Sequence, residues 1–195
     1  MGLKGLVSGF HHLNQKKNFS LLKRTFSLNK ETLSFQIRSG HEKDVESCID
    51  IYLNEPLFKN YGATPVGLNK MFRNAIENKD FHFIVACDEH DNVRGFAVFD
   101  SKGAFSRSVY LKLIVIDTSA RGHNLGARLI NHAEDINKDE NGMFLLVTSS
   151  NYEAQNFYLK LGFVKVGEIL SYVKPDIDEY IFFRSHANKV LGKII

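Results

Sequence analysis

From Thr32 onward the chain alternates between two hydrophobic periods. Leu33, Phe35 and Ile37 recur at every second position, which predicts a strand. Ser39-Gly40-His41-Glu42 offers a capping box, and behind it Val45, Cys48, Ile49, Tyr52 and Leu53 fall at i, i+3, i+4, i+7 and i+8, the apolar stripe of a helix that Pro56 stops. Thr64-Pro65 supplies an N-cap and an N1 proline for a second helix carried by Leu68, Met71, Phe72, Ala75 and Ile76. Two strand-like runs, Phe81 to Cys87 and Val93 to Phe99, flank the polar turn Asp88-Glu89-His90-Asp91-Asn92, and a third long strand spans Ser108 to Ile116. There follow a helix from Gly122 to about Asn137, a strand Met143 to Val147, a helix Tyr152 to Leu161, and strands near Phe163 to Ile169 and Glu179 to Arg184.

The resulting order is β-α-α-β-β-β-α-β-α-β-β. A strand, helix and strand between Ser108 and Val147 imply a parallel pair joined by a right-handed crossover, set in an otherwise antiparallel sheet. The expected fold is therefore α/β of the α+β kind. It has a mixed, mostly antiparallel sheet of about six to seven strands with a central parallel pair, flanked by about four helices.

Composition changes this picture little in the body and more at the start. With 195 residues, 44% hydrophobic and 24% charged, the chain fits one globular domain rather than a disordered tail or a rod. The first thirty residues carry Lys4, Lys16, Lys17, Lys23, Arg24 and Lys30 and no acid before Glu31, so the formal net charge of +3 lies in the arm and the body is slightly acidic. Residues 1–31 are read as a basic arm, flexible or a docking helix, residues 32–185 as the domain and 186–195 as a tail. The arm lacks a signal-peptide pattern, and Leu6 stands where a myristoylation motif after Gly2 needs Ser or Thr. Its Phe10, Phe19, Leu21, Leu22 and Phe26 also fit an organelle presequence.

No apolar run approaches the ~18 residues that span a bilayer. Two cysteines, Cys48 and Cys87, with no CxxC pair, suit a reducing cytosol. The eight histidines form neither HExxH nor a Cys/His cluster, so no metal is expected. The expectation is a cytoplasmic protein without a membrane partner.

The chemistry concentrates in two stretches. In Leu113-Ile114-Val115-Ile116-Asp117-Thr118-Ser119-Ala120-Arg121-Gly122-His123-Asn124-Leu125-Gly126-Ala127, a buried strand turns directly into a helix whose first turn is expected at Arg121 to Leu125. Unpartnered amides at such a start bind anions. Gly122 and Gly126 remove side chains where a ligand backbone might approach, and Arg121 adds positive charge, together suiting a pyrophosphate. The stretch is neither GxGxxG nor GxxxxGK[ST], and a plain glycine-containing connection is the alternative. In Asn151-Tyr152-Glu153-Ala154-Gln155-Asn156-Phe157-Tyr158-Leu159-Lys160-Leu161-Gly162-Phe163, Asn151 reads as a cap and Gly162 as the C′ residue. On pattern alone Tyr158 is either a core tyrosine or a catalyst.

Together the two stretches resemble the GNAT superfamily of N-acetyltransferases. The family's acyl-CoA signature of Arg or Gln, two residues, Gly, one residue, Gly or Ala falls on Arg121, Asn124 and Gly126. Its later Asn-x-x-Ala-x-x-x-Tyr-x-x-x-Gly-Phe pattern matches Asn151, Ala154, Tyr158, Gly162 and Phe163. One position departs: Asn124 stands where the family usually has glycine, and asparagine tolerates unusual backbone conformations better than most residues. The resemblance covers roughly residues 35 to 184.

The resemblance implies acetyl-CoA as co-substrate, its pyrophosphate on the amides of Gly122, His123, Asn124, Leu125, Gly126 and Ala127 beside Arg121. Its pantetheine would lie along Ile114-Val115-Ile116 between splayed parallel strands, contacted by Asn151. Direct transfer to an unprotonated amine follows, with Tyr158 protonating the departing thiolate and an amide near Val115 or Ile116 stabilising the oxyanion. The strand Tyr110 to Val115 carries no carboxylate, so the general base is unassigned, a water relayed by Ser149 or Tyr110 being the fallback. Acceptor walls fall on Leu57 to Thr64, with Tyr61, and on Ser171 to Asp178. There Asp176, Asp178 and Glu179 form either an attractor for a cationic amine or a solvated turn. A small amine is the expected acceptor. A protein or peptide amine, aminoacyl-tRNA held by the basic arm, and a non-catalytic acyl-CoA sensor are the alternatives, and a homodimer is compatible with each.

Overall fold

The computed structural model describes residues 34–186. The basic arm, Leu33 of the first strand pattern and the tail after His186 lie outside the described residues.

The elements follow the expected order: β1 (Gln36–Ser39), α1 (Val45–Asn54), α2 (Pro65–Glu77), β2 (Phe81–Cys87), β3 (Val93–Ala104), β4 (Ser108–Ile116), α3 (Leu125–Ile136), β5 (Gly142–Thr148), α4 (Tyr152–Lys160), β6 (Val164–Lys174) and β7 (Ile177–Ser185). Single 3-10 turns lie at Glu42–Asp44, Pro56–Tyr61 and Thr118–Ala120. Seven strands form one sheet in the order β1-β2-β3-β4-β5-β7-β6, antiparallel throughout except for β4 against β5.

Each face of the sheet carries its own core. On one face Leu125, Leu129, Ile130 and Ala133 of α3 and Tyr158 of α4 pack on Phe99, Val109, Leu111, Met143, Leu145, Val147 and Phe182. On the other, Val45, Cys48 and Tyr52 of α1 and Leu68, Phe72 and Ala75 of α2 pack on Phe83, Val85, Phe96, Val98 and Val115. The helical stripes read from sequence are these buried rows, with Ile76 and Ile136 as exceptions that face solvent. At the end of α3 the inward positions belong instead to Glu134 and Asn137. Glu134 pairs with Arg184 of β7, and Asn137 donates from Nδ2 to Ala133 O at 2.7 Å and accepts from Ser101 Oγ at 2.6 Å. Polar groups can hold such positions because their partners are buried with them.

Two helix starts differ from expectation. The capping box at Ser39 to Glu42 forms two residues later, where Asp44 Oδ2 accepts the His41 amide at 2.8 Å and also binds Arg38. Asp44 therefore spends its carboxylate on the turn and on an ion pair, which holds it below the usual carboxylate range despite burial. Helix α3 begins at Leu125 rather than Gly122. Gly122 at φ 81° and Asn124 at φ 60° are left-handed, and a right-handed helix cannot propagate through them. The caps on α2 and α4 form as read: Thr64 Oγ1 accepts from Gly67 N at 3.1 Å, and Asn151 Oδ1 from Ala154 N at 3.1 Å.

Candidate active site

The site begins with a fault in the sheet. Strands β4 and β5 are paired only at Val109 with Met143, Tyr110 with Phe144 and Leu111 with Leu145, after which they part. At that point β4 also carries an extra residue: Val98 and Phe99, adjacent in β3, face Leu113 and Leu111, leaving Lys112 bulged. A bulge bends its strand and increases local twist, and it switches which side chains face which layer. Val109 and Leu111 point to the α3/α4 face, whereas Leu113 and Val115 point to the α1/α2 face. Beyond the bulge β4 keeps β3 and β5 keeps β7, while their facing edges are free of each other over Lys112–Ile116 and Leu146–Thr148. The expected splay is therefore present. Its free edge of backbone donors and acceptors is what an extended ligand with amide groups needs.

The start of α3 stands at the mouth of this split. Arg128 N donates to Asn124 O at 3.1 Å as the first bond of the helix, so the amides of Leu125, Gly126 and Ala127 emerge from its positive end without intrahelical partners. Asn124 sits in the left-handed conformation that asparagine tolerates better than most residues, so the chain can turn here into the helix. Gly122 has open space where a side chain would stand. Gly126 serves differently from expectation: a Cβ there would lie 2.9 Å from Phe157 Cζ, so its missing side chain lets α3 and α4 close together rather than clearing a ligand path. His123 turns its ring back on the loop, with Nδ1 3.1 Å from Arg121 O, and packs on Phe35, leaving its backbone as the group available to a ligand. Arg121 is held by Glu55 at the end of α1.

Ile114 and Ile116 pack against the α3/α4 core, and Val115 is buried in the opposite core. Tyr158 itself is enclosed by Phe157, Phe163 and Phe182, and burial pushes its phenol well above the usual value, keeping the hydroxyl protonated at neutral pH. It is thus the core tyrosine, buried with its hydroxyl protonated. Asn151 is fixed by its capping bond, with its amide on the same helix start.

On the α1/α2 face the split is closed by residues the sequence reading did not bring together. Tyr61, at the end of the Pro56–Tyr61 turn, shares a hydrogen bond with the Thr148 hydroxyl, which donates to Glu179 Oε1 at 3.1 Å. Glu179 is 3% exposed, and burial raises its carboxyl above the ordinary value against the lowering effect of those two hydroxyls. Tyr61 is oriented by Phe58, which stacks on Tyr52 at 4.4 Å. The acidic cluster of the late hairpin therefore divides. Asp178 caps Ser171 N at 3.0 Å, Asp176 occupies a left-handed turn position, and only Glu179 faces the site. A cross-strand pair, Thr148 with Glu179, creates this arrangement, and nothing in local spacing signals it.

Both cysteines are buried and free, and burial lifts the Cys87 thiol to about 11, so neither offers a thiolate nucleophile at neutral pH. Among the described residues no helix is long and apolar enough to cross a membrane.

Residues 59–171 match the acetyltransferase (GNAT) domain family, and the chain belongs to that family of N-acetyltransferases. Solved structures agree in fold. Spermidine N-acetyltransferase from Vibrio cholerae, in complex with CoA and spermine, is 18% identical with a TM-score of 0.66, covering 78% of this chain and 96% of its own. Ard1 from Thermoplasma volcanium is 24% identical with a TM-score of 0.66, over 78% and 98%. The ribosomal-protein-S18-alanine N-acetyltransferase from Escherichia coli is 18% identical with a TM-score of 0.63, over 78% and 94%. No curated protein matches significantly in sequence.

Proposed function

We propose that this protein transfers the acetyl group of acetyl-CoA directly to a primary amine, seating the cofactor in the split between β4 and β5. The observation that carries this reading is the coincidence of the split with the unpartnered amides of Leu125, Gly126 and Ala127. The pyrophosphate would rest on those amides and on the Gly122–Asn124 loop, with Arg121 turning from Glu55 to the phosphate. The pantetheine amides would pair with the free edge of Ile114, Val115 and Ile116, and Asn151 would border the arm from α4. The residues present fit such a ligand: a positive helix end for the anion, an open strand edge for the amides and apolar walls for the thioester.

When bound, the cofactor supplies an acyl group activated as a thioester. The protein aligns the amine with it, offers a β4 amide near Val115 or Ile116 to the developing oxyanion, and places the Tyr158 hydroxyl to give its proton to the thiolate. A small amine is the acceptor this reading favours, because the buried Glu179 carboxylate stands behind the Thr148 and Tyr61 hydroxyls, where negative charge would favour a cationic amine. Release of CoA from acetyl-CoA by the purified protein, measured across spermidine, amino acids, aminoglycosides, alanine-terminated peptides and charged tRNA, tests the proposal. Release with a small amine supports it, and release with charged tRNA alone or with no acceptor opposes it.

A further inference from the structure

Resting on that transferase reading, the geometry points to Tyr61, Thr148 and Glu179 as a proton relay that takes the proton of the incoming ammonium and stores it on Glu179.

Three observations lead there. The hydroxyl chain is continuous, from Tyr61 to Thr148 Oγ1 and on to Glu179 Oε1 at 3.1 Å. Its inner end is closed off: Thr148 is 8% and Glu179 3% exposed. Its position is on the α1/α2 face at the last residue of β5, where β4 has already turned away, so its outer end opens on the split from the side opposite Tyr158. The groups acting on Glu179 from the neighbouring elements are Thr148 from β5 and Tyr61 from the turn after α1, and Glu179 in turn raises Tyr110 of β4. Tyr172 of β6 acts on the same Tyr110. No Lys or Arg pairs with Glu179 among the described residues. A buried carboxylate bonded to hydroxyls and to no cation has a basicity suited to receiving a proton.

The step balances without another reactant. The ammonium N–H donates to the Tyr61 oxygen as the Tyr61 proton passes to Thr148 and the Thr148 proton to Glu179, leaving a neutral amine, two intact hydroxyls and a protonated carboxyl. The amine lone pair then forms the C–N bond and the C–S bond breaks. The thiolate takes the Tyr158 proton, Tyr158 recovers one from the new amide nitrogen, and Glu179 returns its proton to solvent. Tyr61 is the member that touches the substrate, while Glu179 acts through it as the terminal acceptor.

The test is the pH dependence of kcat/KM for acetylation of spermidine by the full chain. In the wild type the rate is expected to level off above the titration of Glu179. In Glu179→Gln it is expected to fall about 1000-fold at pH 7 and to climb about tenfold per pH unit toward the free-amine pKa near 10, where no acceptor is needed and the two rates meet. Thr148→Val should reproduce that profile, and Glu179→Asp should restore the plateau in part. Acetyl-CoA affinity should stay unchanged in all three, which separates loss of the relay from misfolding. A Glu179→Gln profile parallel to the wild type at every pH overturns the relay while leaving the transferase intact. A wild type that acetylates no amine overturns the parent reading and the relay with it. As a readout independent of turnover, the infrared carbonyl band lost in Glu179→Gln should titrate above the usual carboxylate range and move in Tyr61→Phe; an unmoved band also overturns the relay.

Discussion

The two faces of the split sheet are built by opposite strategies. On the α3/α4 face the groups proposed to meet the cofactor are backbone: the amides of Leu125, Gly126 and Ala127 and the free edge of β4. One contiguous stretch from Leu113 to Ala127 supplies nearly all of them, because a strand, a turn and a helix start suffice to aim amides at an anion. On the α1/α2 face the groups are side chains from positions 61, 148 and 179, brought together by a turn, a strand end and a cross-strand pair. A site of amides tolerates sequence change provided the backbone path survives, as Asn124 illustrates. A site of side chains survives only while three separate elements keep their places.

The largest expected effect concerns the joint between the arms. Arg184 of β7 donates from Nε to Glu134 Oε1 of α3 at 2.7 Å and from Nη1 to Leu161 O at 2.5 Å, so it ties the β5–β7 arm to the helices beneath both strands. Arg184→Ala removes the guanidinium that holds the buried Glu134 carboxylate and the Leu161 carbonyl, and should cost about 3–5 kcal/mol, read as a drop in unfolding free energy by urea titration. A loss below about 1 kcal/mol would show that the arms are held together without it.

Next comes the proposed proton donor. Tyr158→Phe should lower kcat about 100-fold with acetyl-CoA affinity nearly unchanged, because the missing hydroxyl acts only as the thiolate departs. An unchanged kcat would return Tyr158 to a purely packing role.

The loop offers a finer contrast between backbone and side chain. Asn124→Gly should leave cofactor affinity unchanged and stability equal or slightly higher, whereas Asn124→Val, at φ 60°, should lose about 1–2 kcal/mol in thermal or urea melts. Equal stability of the two variants would mean that the left-handed turn is not what the position requires.

The smallest effect follows from burial of Glu179. Its carboxyl lies above the ordinary 4.5 in the folded protein, so folding favours the protonated form. That contribution is complete below 4.5 and is lost as pH rises through the raised value. Glu179→Gln should flatten this part of the stability curve, seen as a melting temperature less dependent on pH between 4.5 and 7; a parallel curve would contradict the burial argument.

Legibility in the sequence followed the same division. All seven strands and four helices could be located because each has a local period, and the caps at Thr64 and Asn151 because a cap is a local hydrogen bond. The start of α3 lies three residues beyond the one the pattern predicts because Gly122 and Asn124 adopt backbone angles that hydrophobic spacing does not record. The role of Gly126 was hidden for a related reason, since its neighbour Phe157 lies a helix away. The bulge at Lys112, which opens the split, reads in sequence as ordinary strand. Glu179 was visible only as one of three nearby acids, and burial alone distinguishes it from Asp176 and Asp178.

The most direct measurement is amide hydrogen exchange of the purified protein with and without acetyl-CoA. Seating in the split predicts slowed exchange at Leu125 to Ala127, along Leu113 to Ile116 and at the start of α4 around Asn151, with β1 and β6 unaffected. Tight binding that leaves those amides unprotected, or protects a different surface, would contradict the assignment of the split as the cofactor's seat.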